Sequence, residues 1–152
     1  MNILFVCTGN TCRSAMAEAW AKKICKDNPD RYGDFNIESA GVHCAGATPA
    51  SEEAVKVCSE EGCDLSLFRA KQVKMEHMER ADYIFAMTKN QKQMLEMVAP
   101  AYRSKIYLLN AYAKGTPDAE DIMDPYGGNH RVYEVCFGQL KESVEAVLEK
   151  LS

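Results

Sequence analysis

An apolar run, Ile3-Leu4-Phe5-Val6, leads directly into Cys7-Thr8-Gly9-Asn10-Thr11-Cys12-Arg13-Ser14 and then into residues spaced like a helix. A short continuous apolar run reads as a strand buried on both faces, the kind found inside a parallel sheet. A strand that turns at once into a helix places the turn at the sheet's carboxyl edge, where open α/β folds bind their ligands. This turn offers backbone N–H groups, the positive end of a helix and the planar fork of Arg13, a combination suited to a phosphate-like dianion. The same field favours a thiolate at Cys7, so one loop supplies both an anion site and a nucleophile. The bland alternative is a buried-strand cysteine, an ordinary Thr-Gly-Asn turn and an unremarkable Arg-Ser dipeptide. It requires every one of these residues to fall by accident where an anion site forms.

The rest of the chain repeats the strand-then-helix pattern. Asn2 to Cys7 is the first strand. Met16, Trp20 and Ile24 share one face of a helix running to about Lys26, with Ser14 placed to cap it and Asn28-Pro29-Asp30 breaking it. Asn36 to Ala40, ending at Gly41, reads as the second strand, and Val42 to Thr48 as a loop. Pro49 suits the first turn of a helix carrying Ala54, Val57 and Cys58 that stops near Gly62. Asp82 to Met87 is the third strand, followed by Thr88 and a helix with Met94, Leu95 and Val98. Lys105 to Leu109 is the fourth. After a turn-rich stretch from Gly115 to Gly128, Val132, Cys136, Leu140, Val144, Val147 and Leu151 mark a last helix, with Asn129 as its cap. Such alternation predicts an α/β fold: a four-stranded parallel sheet with right-handed crossovers and helices on both faces. With 152 residues and no repeat, linker or low-complexity segment, one domain over 1–152 is the expectation.

Composition narrows the function. A net charge of −4 with no basic stripe argues against a general nucleic-acid binder. No apolar stretch is long enough to span a bilayer, and Met1-Asn2-Ile3-Leu4-Phe5 lacks the features of a signal peptide. A cytoplasmic protein with no membrane partner is therefore expected. The seven cysteines cannot all pair within one chain, and reduced thiols are the default without export. Cys7/Cys12 and Cys58/Cys63 each enclose four residues, at the loose end of zinc-ligand spacing. Neither is followed by a Cys/His pair at tight spacing, and Arg13 is a poor neighbour for a cation, so no metal is expected.

A Cys7 thiolate attacking phosphorus forms a phospho-cysteine and splits transfer to water into two steps. Arg13 and the loop amides from Thr8 to Cys12 stabilise the equatorial oxygens. Ser14 can donate to the Cys7 sulfur, Asn10 can hold the loop through neighbouring backbone, and Gly9 permits the tight turn. No cofactor is needed. The leaving group needs a proton, and Asp124 in Asp124-Pro125-Tyr126-Gly127-Gly128 is a candidate donor, with Tyr126 as an apolar neighbour that favours the protonated carboxyl. On pattern alone, a simple turn explains this segment equally well. His43, His77 and His130 have no partner pattern and read as solvent-exposed or helix-end residues. Cys12 shares the loop with Cys7 and is either inert or able to form a protective disulfide with it. Cys25, Cys44, Cys58, Cys63 and Cys136 read as structural, and Met75, Met78, Met94 and Met97 as core or surface filler.

With these motifs in hand, the chain resembles the low-molecular-weight protein-tyrosine-phosphatase family over essentially its whole length. The likeness rests on the Cys-x5-Arg-Ser loop, Met16-Ala17-Glu18, Ser39-Ala40-Gly41, Arg69-Ala70-Lys71-Gln72 and Asp124-Pro125 before the last helix. It implies Asp124 as general acid, a four-stranded parallel sheet, and phosphorylated proteins as substrates. A monomer is expected. Three features are similar to the protein-arginine phosphatases of that family. Thr11 stands where tyrosine phosphatases usually carry isoleucine. Met87-Thr88-Lys89-Asn90-Gln91-Lys92 follows the third strand, and Tyr126-Gly127-Gly128 replaces the two aromatics that tyrosine-specific members tend to have. A threonine hydroxyl favours a planar polar guanidinium where isoleucine would wall a phenyl ring. Ala15 departs from the family's usual proline after Arg-Ser, costing some loop rigidity.

Three other readings compete with phosphoarginine hydrolysis. A phosphotyrosine phosphatase uses the same machinery. An arsenate reductase needs further cysteines to relay a disulfide outward, typically after the third strand, and here Cys63 precedes that strand while Cys136 lies in the last helix. A non-catalytic phosphate binder needs neither Cys7 nor Asp124.

Overall fold

The computed structural model describes residues 1–152. Four strands, β1 (Asn2–Cys7), β2 (Asn36–Gly41), β3 (Tyr83–Ala86) and β4 (Ile106–Leu108), form one parallel sheet in the order β2-β1-β3-β4. The register pairs Cys7 with Gly41 on one side and Val6 with Ala86 on the other. The chain leaves β1 for β2 and then returns past β1 to β3, so the carboxyl end of β1 is the point where strand order reverses. Ligands of open α/β sheets bind at such a point.

Alternation along β1 divides the interior. Ile3, Phe5 and Cys7 belong to the larger core, with residues of α1 (Arg13–Asp27), α3 (Glu52–Glu60), α6 (Leu109–Lys114) and α7 (His130–Leu151). Leu4 and Val6 belong to a smaller core on the other face, with Met78 of α4 (Met75–Arg80) and Leu95 of α5 (Lys89–Val98). The one-turn helix α2 (Pro29–Tyr32) closes the return from α1 to β2. Phe85 packs on Phe5, Tyr83, Tyr107 and Tyr112, tying three strands to α6.

Several local expectations are corrected. Ser14 does not cap α1; Cys12 is the cap position without a side-chain bond, and the Ser14 hydroxyl turns to Cys7. Pro29 opens α2 instead of only breaking α1, because proline fits a first turn. Pro49 lies outside α3, whose cap is Ser51 accepting from the Ala54 N–H. The strand read to Leu109 ends at Leu108, and Leu109 begins α6. α4 had no reading in the sequence because six residues carry too little periodicity. Within it His77 is buried, not exposed: its Nδ1 accepts from the Lys74 N–H, and burial, reinforced by Lys71, pushes its pKa down. Val132, expected on the apolar face of α7, is largely exposed. Asn129 does cap α7, accepting from the Val132 N–H at 3.0 Å.

Candidate active site

Cys7 ends β1 with 3% of its surface exposed, and its Sγ lies 2.9 Å from the Ser14 hydroxyl. The residues around it fix which way the protons run. Asn10 spends both Nδ2 hydrogens, one on Ser14 Oγ at 2.8 Å and one on Ser39 Oγ at 2.9 Å. Ser39 in turn donates to Glu18 Oε1 at 2.7 Å. Ser14 already accepts from Asn10, so its own hydrogen is available to the Cys7 sulfur. The Asn10 Oδ1 accepts from the Lys71 N–H at 2.9 Å, which ties the loop to the segment beside β2. Asn10 is the one non-glycine residue at positive φ, 60°, a left-handed position that asparagine tolerates better than most residues.

The loop's backbone is unusual in what it leaves unpaired. The N–H groups of Thr8, Gly9, Asn10, Thr11, Cys12 and Arg13 find no acceptor within the protein. Buried N–H groups are rarely left so, and a run of them is what an anion requires. The backbone of β2 presses against the loop: a Cβ on Gly41 would stand 2.6 Å from Thr8 O and 3.1 Å from Asn10 N. Only glycine allows that approach.

Two further contacts hold the loop. Gln91, 3% exposed at the start of α5, donates to Thr8 Oγ1 at 2.9 Å and accepts from the Met87 and Thr88 N–H groups. The Ser51 N–H donates to Thr11 O at 3.0 Å. The Thr11 hydroxyl itself has one long contact, 3.8 Å to Cys12 Sγ. Cys12 is buried beside Tyr133 OH at 3.3 Å and Ser51 Oγ at 3.5 Å. Burial first, and the Cys12 contact second, push the Tyr133 phenol up to about 12.

Arg13 joins the loop to the segment carrying Asp124. Its side chain is almost fully buried, donates to Ile122 O at 3.0 Å and lies 3.6 Å from Asp124 Oδ2. That segment is anchored residue by residue. Asn110 donates to Glu120 O, the Lys89 N–H to Asp121 Oδ1, and the Ile122 N–H to Met87 O. Cys136 Sγ lies 3.6 Å from Met123 O. Beyond these anchors the Asp124 side chain is 52% exposed. Tyr126 does not wall the carboxylate with its ring, which is 76% exposed; its backbone N–H donates to Asp124 Oδ1 at 3.0 Å instead. The aspartate followed by proline forms a local turn, which turns the ring outward. Burial pushes the Cys136 thiol up to about 12, as befits a structural cysteine.

The structure therefore brings Cys7, Asn10, Arg13, Ser14 and Asp124 to one edge of the sheet, with Thr8, Gly9, Thr11 and Cys12 completing the loop and Tyr126 at its rim. The sequence does not mark Gln91, Ser39, Glu18 or Gly41 as site residues. Gln91, Glu18 and the Ser39-Ala40-Gly41 run stand out in it only through the family resemblance. A serine beside Ala40-Gly41 at the end of the second strand and a glutamine just after a helix cap are the available signals.

The family model for low molecular weight phosphotyrosine protein phosphatases matches residues 2–152. A protein-arginine-phosphatase of Geobacillus stearothermophilus is 38% identical over 149 residues, covering 98% of this chain and 95% of that protein. One from Bacillus subtilis is 37% identical over 152 residues, covering 99% and 97%. A solved structure of the YwlE arginine phosphatase, a mutant with a phosphorylated active-site serine, superposes with a TM-score of 0.92 at 35% identity, covering 99% and 95% of the two chains. No helix of this chain is long and apolar enough to cross a membrane.

Proposed function

The chain belongs to the low molecular weight phosphotyrosine protein phosphatase family, and we propose that within it the chain hydrolyses phosphoarginine on proteins. The observation that carries this reading is Thr11, a hydroxyl in the phosphate loop with no short bond to the protein. A polar group there can meet a guanidinium, whereas a phenyl ring prefers an apolar wall. Relatives of 37–38% identity named protein-arginine-phosphatase support it.

The reaction proceeds in two displacements. The Cys7 thiolate attacks phosphorus as the P–N bond to arginine breaks, and Asp124 delivers a proton to the departing nitrogen. The unpaired N–H groups of the loop and the Arg13 fork receive the three equatorial oxygens, with charge stabilisation that needs no reorganisation. Ser14 donates to sulfur, which makes the thiolate a better leaving group in the second step. Asp124, now a carboxylate, takes a proton from water; the water oxygen attacks phosphorus, the S–P bond breaks, and Cys7 is restored. A phosphorylated active-site serine in the YwlE mutant supports this covalent route. Once it has given up its proton, the Asp124 carboxylate can pair with the guanidinium that departs.

Phosphotyrosine is the second reading, favoured by the exposed Tyr126 ring at the rim, which can flank a phenyl group. Turnover of free phosphoarginine and of a phosphotyrosine peptide, measured side by side under reducing conditions with Cys7→Ser as control, tests the choice. Phosphoarginine is expected to be preferred. Thr11→Ile is expected to shift the ratio of the two kcat/KM values toward phosphotyrosine by roughly tenfold or more. An unchanged ratio leaves Thr11 as loop packing, and a wild-type preference for phosphotyrosine overturns the arginine reading.

A further inference from the structure

The helix α3 ends in a motif whose two packing positions are both cysteine. Gly62, at φ +81°, donates its N–H to Ser59 O at 3.1 Å, and the Cys63 N–H reaches back to Cys58 O at 2.8 Å. This is the Schellman closure, in which the residue after the glycine packs against a side chain of the helix's last turn. That pair is usually apolar. Here Cys58 and Cys63 take those two positions within the same core cluster, Cys58 fully buried and Cys63 6% exposed. The spacing that reads in sequence as a loose zinc pair is thus the signature of a helix end.

The two sulfurs differ in surroundings. Cys63 lines an open cleft of about 750 Å³ between α1, β2 and the chain from Gly62 to Lys71. The neighbouring Cys58 thiol, helped by Lys23 and Lys141 and opposed by burial and Glu61, lowers the pKa of Cys63. The neighbouring Cys63 and burial push the Cys58 thiol up. Cys63 is the sulfur that borders the cleft, and Cys58 is the fully buried one, paired with it by the helix-end closure. Neither takes part in the phosphate site.

We propose that Cys58 and Cys63 form a second redox site that closes to a disulfide when the protein meets a hydroperoxide. The Cys63 thiolate attacks one peroxide oxygen, the O–O bond breaks, and hydroxide leaves, giving a Cys63 sulfenic acid. The Cys58 sulfur then attacks the Cys63 sulfur, the S–O bond breaks, and the Cys58 proton departs with the hydroxyl as water. Two thiols lose two electrons and the peroxide gains them. The six-residue ring already exists as a backbone closure, so the bond forms without unfolding the helix end.

The test is mass-spectrometric mapping of the full chain after treatment with hydrogen peroxide and alkylation of the remaining thiols. The expected product is a Cys58–Cys63 linkage, two hydrogens lighter and reversed by dithiothreitol, present in wild type and in Cys7→Ser and absent in Cys63→Ser. In Cys58→Ala the reaction is expected to stop at a Cys63 sulfenic acid that dimedone traps. Recovery of both cysteines fully alkylated at a peroxide dose that oxidises Cys7 would overturn the proposal. So would Cys63 accumulating as sulfinic acid with no linkage. Wild-type mapping decides the matter even if a substitution prevents folding, and its outcome is independent of which phosphorylated residue the protein hydrolyses.

Discussion

Asn10 and Asp124 belong to one candidate site and are held in opposite ways. Every polar atom of the buried Asn10 side chain is committed, to Ser14, Ser39 and Lys71. Asp124 follows a run of anchored residues, yet its own carboxylate is half exposed and bonded only to its local turn and, at 3.6 Å, to Arg13. The contrast fits the proposed chemistry. A loop that must meet a transferring phosphate works best preorganised, because reorganisation during reaction costs rate. An acid that gives a proton and later removes one has to reach both leaving group and water. The loop is therefore where sequence change should cost stability, and the aspartate where it should cost rate alone.

The largest effect expected from that contrast is at Asp124. Asp124→Ala should lower kcat on phosphoarginine by roughly 10²–10⁴-fold, the usual weight of a positioned acid. The loss should be smaller for an aryl phosphate whose leaving group needs no proton, and Tm should stay nearly unchanged. A large drop in Tm in thermal melts would mean that the aspartate is as structural as the loop. Asn10→Ala comes next. It removes three buried hydrogen bonds and puts alanine at positive φ, which together should cost about 3 kcal/mol. Calorimetry should show Tm falling by roughly 6–12 °C, alongside a raised KM for substrate. A stable variant with normal KM would show that the loop does not depend on its central asparagine.

The smallest effect lies where α7 begins, just past the acid segment. His130 bridges Glu53 Oε2 at 3.0 Å and Glu60 Oε1 at 3.0 Å, with Glu134 at 3.9 Å, and these carboxylates raise its pKa, the Glu53 hydrogen bond most. A raised folded-state value means that the added stability is fully present below the unfolded value, about 6.5, and is lost as pH rises through the folded one. His130→Gln should therefore lower Tm at pH 6 and leave it unchanged at pH 9. Equal effects at both pH values would assign His130 to packing only.

Sequence and structure differ most in how they treat short elements and polar partners. β1, α1 and α7 were legible because their periodicity runs over six residues or more and their boundaries carry turn chemistry. α2, α4 and α6 were not, since four to six residues cannot distinguish a helix from a turn without the neighbours that pack on them. Ser14 shows how a correct residue can carry a misread role. Serine before a helical run suggests a cap, but only the folded loop shows Asn10 filling its oxygen and Cys7 beside its hydrogen. The sequence offers Tyr126 as an apolar neighbour of Asp124, but the turn leaves its ring 76% exposed.

By itself the sequence determined the sheet and the loop, because strand and helix periods and the spacing from Cys7 to Arg13 are local properties; Asp124 stands out as an acid only through the family resemblance. Only the tertiary structure decided the Ser39–Asn10–Ser14 network, the grip of Gln91 on Thr8 and the close approach of Gly41. Each of these joins residues from separate strands and helices. Hydrogen bonds across such distances in sequence depend on a few tenths of an ångström that no spacing encodes.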